Sequence, residues 1–253
     1  FVSTLFSCPA ALTGLGEAAE KQAPDLMAMW DQHREKVPCF PTVKKHILVT
    51  AESTVTWPQY LELERLFLNA YRDRDPVRFL FNAACRLVRP DPQNTRFKKA
   101  LKDQNELYES LFEPFVWQVL TYLEEREDHP DLDEFFECLQ LGSPAYSKRL
   151  NREIPPFEIL RPSSQLESLV ITRYVLNQVH GKLLLIGPSM VSRMVLVAAA
   201  LAVVLFDLKV LKEAEGVYHF SYDALELAFE VCEEKIVSQS NDLEPLLVEI
   251  EEI

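Results

Sequence analysis

Histidine, cysteine and serine are the side chains with which this sequence could do chemistry, and their spacing argues against most of it. His33, His46, His129, His180 and His219 form no HxH or HxxxH pair. None has Glu three residues before it, so the Glu-x-x-His pairs of di-iron carboxylate bundles are absent. Cys8, Cys39, Cys85, Cys138 and Cys232 are far apart, odd in number and never spaced CxxC. That pattern offers neither a zinc or iron–sulfur cluster nor a disulfide framework, and it predicts a reducing, cytoplasmic compartment. The first residues, FVSTLFSCPAALTG, lack the basic n-region of a secretory signal.

Two further chemistries fail on context. Gly14-Leu15-Gly16-Glu17-Ala18-Ala19 matches GxGxxA, the loose dinucleotide fingerprint, but that motif needs a strand just before it and a helix opening at it. Here CPAAL intervenes after Ser7 and no βαβ pattern follows, so a turn of small residues is expected. There is no GxSxG; Ser189, in Gly187-Pro188-Ser189-Met190, reads as the start of an apolar helix. The carboxylates Glu124, Glu125, Glu127 and Asp128, ahead of His129-Pro130, read as a solvated helix end. Arg193 interrupts an apolar run, and a buried ion pair with a Glu is the expected partner.

Charge is the more informative signal. The formal net charge is -13, which disfavours nucleic acid as a partner. From Arg72 to Lys102, however, there are nine basic and three acidic residues, whereas Glu213 to Ile253 holds twelve acidic residues and only Lys235. Arg72, Arg74, Arg78, Arg86 and Arg89 are therefore the candidate partner-binding residues, suited to an acidic protein or to the chain's own acidic tail.

The elements that must carry these residues read as helices. Six Gly against 16 Pro in 253 residues favours helices over a turn-rich β fold. Thr56-Trp57-Pro58-Gln59 is a capping box, followed by Tyr60, Leu63, Phe67 and Tyr71 on one face. Asp75-Pro76 opens the next helix, with Val77, Leu80, Phe81, Ala84 and Val88 as its stripe; Arg78, Arg86 and Arg89 lie largely off it, so their heads are predicted to reach solvent. A longer helix is expected over residues 104–126, with Leu107, Leu111, Phe115, Val119 and Tyr122 inward and a kink at Pro114. Asp131 and Glu134 start a short helix that Gly142 ends. Ser164 with Glu167 is a second capping box, and Gly181 should stop its helix. Leu225, Ala228, Phe229, Cys232 and Ile236, then Leu243, Leu246, Leu247 and Ile250, mark two closing helices. Val43 to Val55 suits either strand or helix.

Leu183 to Leu208, LLLIGPSMVSRMVLVAAALAVVLFDL, is the most apolar run. A bilayer needs about 20 consecutive apolar residues. Arg193 and Gly187-Pro188 divide this run, and the block from Met194 to Phe206 is apolar on every side. A short helix of that kind is enclosed by other helices, so the expectation is a buried central helix and no membrane span. The fold class predicted is all-α: an irregular multi-helix domain around that helix. Its parts are residues 1–142, a Pro-rich connection at 143–162, and residues 163–253.

Several segments resemble the helical region of the flagellin lysine-N-methylase family. FSCPAAL, Phe6 to Leu12, is similar to that family's Cys-Pro segment. WPQYLELERLFLNAY, Trp57 to Tyr71, is similar to its helix bearing Glu-Arg-Leu, here Glu64-Arg65-Leu66. SQLESLVITRYVLNQV, Ser164 to Val179, resembles the helix preceding a strongly apolar one, and Ala228 to Leu247 resembles the closing pair. The resemblance implies lysine N-methylation with S-adenosylmethionine and an iron–sulfur cluster held by cysteine clusters. Those clusters have no counterpart here, the Arg after the Cys-Pro segment is absent, and so is a His near Asn241. No ligand or catalytic residue carries over. On this resemblance the chain, which starts at Phe1, is either a fragment that begins after the clusters or a relative that lost them. Three readings follow: a non-catalytic helical module that binds a protein partner, a lysine N-methyltransferase-like enzyme, and a cyclin-like or other helical scaffold.

Overall fold

The computed structural model describes residues 46–71, 75–88, 108–124, 145–147, 151–180 and 183–215, with Ala228, Phe229, Ile236, Val237, Leu243 and Leu247 beyond them. Among these the chain is all-α, with two short hairpins. The GxGxxA segment and the helix expected between Asp131 and Gly142 lie outside the described residues.

The ambiguous stretch before Thr56 is a hairpin. Strands β1 (His46–Leu48) and β2 (Thr54–Thr56) pair antiparallel, with Ile47 opposite Val55. Ile47 points inward while His46 and Leu48 face out, the period-two alternation of a half-buried strand. Thr50 builds the turn: its hydroxyl accepts from the Ser53 amide at 3.0 Å.

Helix α1 (Trp57–Ala70) begins where β2 ends. The Thr56 amide donates to Gln59 Oε1 at 2.8 Å, and the Thr56 hydroxyl donates to the same oxygen at 2.9 Å, so the capping box closes chiefly through Gln59. Tyr60 is buried and Leu63, Phe67 and Tyr71 are half-buried on the predicted face. Helix α2 (Pro76–Val88) opens on Asp75, whose carboxylate accepts from the Arg78 amide at 3.1 Å. Val77, Leu80, Phe81 and Ala84 are fully buried.

Pro114 has a larger effect than a kink. Tyr108–Phe112 forms a π-helical turn, and α3 (Glu113–Glu124) continues from it. A proline lacks the amide donor and crowds the carbonyl one turn back; the wider π turn stands where that conflict falls. The turn also shifts the phase of the stripe. Tyr108 and Phe112 are buried ahead of Phe115, Val116, Val119 and Leu120, while Leu111 is half-buried.

Within the Pro-rich connection, β3 (Ala145–Ser147) and β4 (Arg152–Ile154) pair antiparallel. Asn151, just before β4, has φ of 50°, a left-handed conformation that Asn tolerates well. Residues 155–163 then form a non-helical strap. Helix α4 (Gln165–His180) follows, capped by the Ser164 hydroxyl, which accepts from the Glu167 amide at 3.2 Å.

After a 3₁₀ turn at Leu183–Leu185, Gly187 takes φ of 118°, a region that a side chain would disfavour. The chain then enters helix α5 (Met190–Glu215). Met190–Val210 is long and apolar enough to cross a membrane, yet every residue of it except Lys209 is buried inside the protein. Helix α5 packs most extensively on α2 and also touches α3. Ala228, Phe229, Ile236, Leu243 and Leu247 are buried as the closing stripes predict. The core thus includes residues from both sides of the Pro-rich connection. Each fully buried Val, Leu or Phe contributes about 1.5–3 kcal/mol, which is why so apolar a helix seeks the centre.

Candidate functional site

Of the five arginines predicted to meet a partner, Arg72, Arg74 and Arg89 lie outside the described residues. Arg78 and Arg86 are both on α2, and both are half-buried. Every residue from Asp75 to Val88 is buried or half-buried. The expectation of solvent-reaching heads treated α2 as a surface helix with one covered face. Instead α4, α5 and the π turn all pack against it. Burial lowers the pKa of Arg86.

Arg78 lies with its guanidinium 4.9 Å from the centroid of the Tyr108 ring. This is a cation–π contact, and the π turn that precedes α3 is what brings Tyr108 there. Burial first, and the nearby carboxylates of Asp75 and Glu113 next, push the Tyr108 phenol up; Arg78 and Arg161 oppose that shift. The ring therefore stays a neutral phenol over the physiological range. Phe81 and Phe112 flank it, with centroids 5.7 and 5.1 Å away.

Asp75 joins Arg78 to a residue that sequence reasoning overlooked. Its Oδ1 accepts the Arg78 amide, while its Oδ2 meets Arg161 Nε at 3.0 Å. Asp75 is buried, but the Arg161 side chain is 68% exposed. Arg161 belongs to the strap, far from Asp75 in sequence, and nothing local marks it. The Asp-Pro opening was legible as a cap, but not the second use of the same carboxylate.

A second polar cluster lies at the end of the strap, two residues beyond Arg161. Glu167 is buried, yet its oxygens accept from the Ser163 amide at 2.6 Å, the Ser163 hydroxyl at 2.7 Å and Lys212 Nζ at 2.8 Å. The expected box is extended: the carboxylate reaches past the Ser164 cap to the amide of Ser163. Burial alone would raise the Glu167 pKa, but the bonds from Lys212 and Ser163 outweigh it and leave it lowered. Lys212 also donates to the Ser163 hydroxyl at 3.0 Å. This is a structural clamp between α4, α5 and the strap.

Arg193 is buried in the first turn of α5, and its Nη1 donates to the Val237 carbonyl at 2.5 Å. That contact is to a backbone oxygen. It ties the central helix to the C-terminal segment. Ser189 does start α5, its hydroxyl accepting from the Ser192 amide at 3.0 Å. Among the described residues no three His, Cys, Asp or Glu side chains come together as a metal site. His46 stands exposed on β1 and Cys85 is half-buried on α2.

The grouping Asp75–Arg78–Tyr108–Arg161 can hold one guanidinium fixed at the surface and another half-covered beneath it. Guanidinium groups can pair with carboxylates through charge-assisted hydrogen bonds. Comparison of the chain with family models, with characterised proteins and with solved structures found no match.

Proposed function

We propose that the chain is a helical protein-interaction module of the cytoplasm, working on its own or as the helical region of a larger protein-modifying enzyme, and that its partner is an acidic protein surface. The observation that carries this is Arg161. Its Nε is engaged by Asp75 at 3.0 Å while its side chain remains 68% exposed. An arginine held in place before the partner arrives has less side-chain freedom to lose on binding, and its other N–H donors are left for a carboxylate. The half-buried Arg78 and Arg86 add to the positive potential around it.

The test is a titration with an oligoglutamate peptide over a salt series, using the full chain and its Arg161→Glu variant. Exposed charges steer association and are screened by salt, so binding should weaken with ionic strength and the variant should associate more slowly. Salt-insensitive binding, or an unchanged variant, removes the role given to Arg161. A parallel assay with S-adenosylmethionine addresses catalysis. Methyl transfer to lysine, or stoichiometric iron in the chain, would replace this reading with that of a lysine N-methyltransferase.

A further inference from the structure

The strap at residues 155–163 has one buried side chain, Phe157. Its ring is set edge-on to Trp117 of α3, with centroids 5.2 Å apart, and 5.0 Å from Phe206 of α5. Ile159 and Leu160 lie partly buried beside it. The rest of the attachment is polar: two ion pairs in order along the strap, then the hydrogen bonds of Ser163 with Glu167 and Lys212 at its end. Glu158 pairs with Lys209 on α5, and Arg161 pairs with Asp75 at the start of α2. The Glu158 and Arg161 side chains are 55% and 68% exposed, so solvent and salt weaken both pairs. Pro155, Pro156 and Pro162 keep the segment from becoming a helix. The strap therefore lies over the helices as a bound peptide would, with one aromatic in a slot and two surface charges matched.

We propose that the trough formed by Trp117, Phe206, Lys209 and Asp75 is a docking site for a proline-flanked, non-helical peptide of a partner protein with the pattern aromatic–acidic–x–x–basic, and that the strap occupies it as a built-in competitor. The inference rests on the reading of the chain as an interaction module and gives it a second mode of binding, in which the peptide displaces the strap and takes Asp75 from Arg161. The occupant is specified by charge complementarity: Lys209 takes an acid directly after the aromatic, and Asp75 takes a base three residues further on. Reversing the strap's own charges should weaken its hold and expose the slot that Phe157 fills.

The experiment uses a labelled peptide with the sequence IPPFEILRPSS, residues 154–164, and the full chain. In the Glu158→Lys/Arg161→Glu double variant, two attractions become repulsions. That variant should bind the peptide at least ~10-fold more tightly than the wild type. Replacing Phe with Ala in the peptide should abolish binding, and adding Lys209→Glu to the variant should weaken it. The neutral Glu158→Gln/Arg161→Gln variant, which removes attraction without adding repulsion, should show a smaller gain and serves if the first variant loses its helical circular dichroism. Equal binding by wild type and variants, or no binding to a folded variant, would overturn the proposal. So would a wild-type dimer that the peptide dissociates, since the trough would then belong to a second copy. Oligoglutamate binding on the wild type reads the module separately: if it persists with salt dependence while the strap peptide fails, only the trough is lost.

Discussion

The Val191 amide, in the first turn of α5, donates to the Val49 carbonyl at 3.0 Å. A helix start leaves its first amides without partners inside the helix, and in a buried start each needs one from elsewhere. The turn of the β1–β2 hairpin supplies one and the Ser189 hydroxyl supplies the next, at Ser192. The hairpin is thereby a cap on the central helix from a distant part of the chain.

Ser189→Ala should therefore cost about 1–2 kcal/mol, the upper part of the usual range for a cap, because Ser189 is buried. Urea denaturation followed by circular dichroism measures it. A midpoint equal to the wild type's would mean that the hydroxyl carries none of the helix start.

Ala200 lies at 1% exposure between Val197 and Val204, both at 0%. Ala200→Leu has no space to enter and should destabilise by about 1–3 kcal/mol through overpacking. Thermal unfolding checks this, and an unchanged midpoint would contradict the close enclosure of α5.

Thr56→Ala removes the hydroxyl that orients Gln59 at the start of α1 and should cost about 1 kcal/mol. Thr56→Ser should recover most of it. Amide exchange in the first turn of α1 would rise in the alanine variant alone.

Glu167 gives a pH dependence with a defined sign. Its folded-state pKa lies below the ordinary 4.5. The unfolded chain thus binds this proton first as pH falls, so the stabilisation is complete above 4.5 and is lost as pH drops through the folded-state value. Glu167→Gln should flatten that acid limb, read as urea midpoints against pH. Lys212→Met leaves the carboxylate without its cation and should cost about 1.5–3 kcal/mol near neutral pH. The figure is below that of a fully enclosed pair because the Lys212 side chain keeps 18% of its exposure.

Much of the local structure is determined by short-range chemistry and was legible from residue order. The Thr56 and Ser164 boxes, the Asp75 cap, the Ser189 start and the enclosure of Met194–Phe206 all follow from interactions within one turn or from apolarity around a whole helix. The phase of the Tyr108–Leu120 stripe was less so: a proline announces a conflict, but whether a kink or a π turn resolves it depends on which side chains the core accepts. The hairpin before Thr56 needed the first turn of α5 to dock against. The half-burial of Arg78 and Arg86 was not legible, because a hydrophobic stripe identifies the face that must be covered and does not say how far the other faces stay open. The pairs Asp75–Arg161, Glu167–Lys212 and Val49–Val191 join residues from distant segments. Their partners are chosen only when packing brings separate helices together, because electrostatic and hydrogen-bond complementarity acts over a few ångströms in space and leaves no periodic trace along the chain.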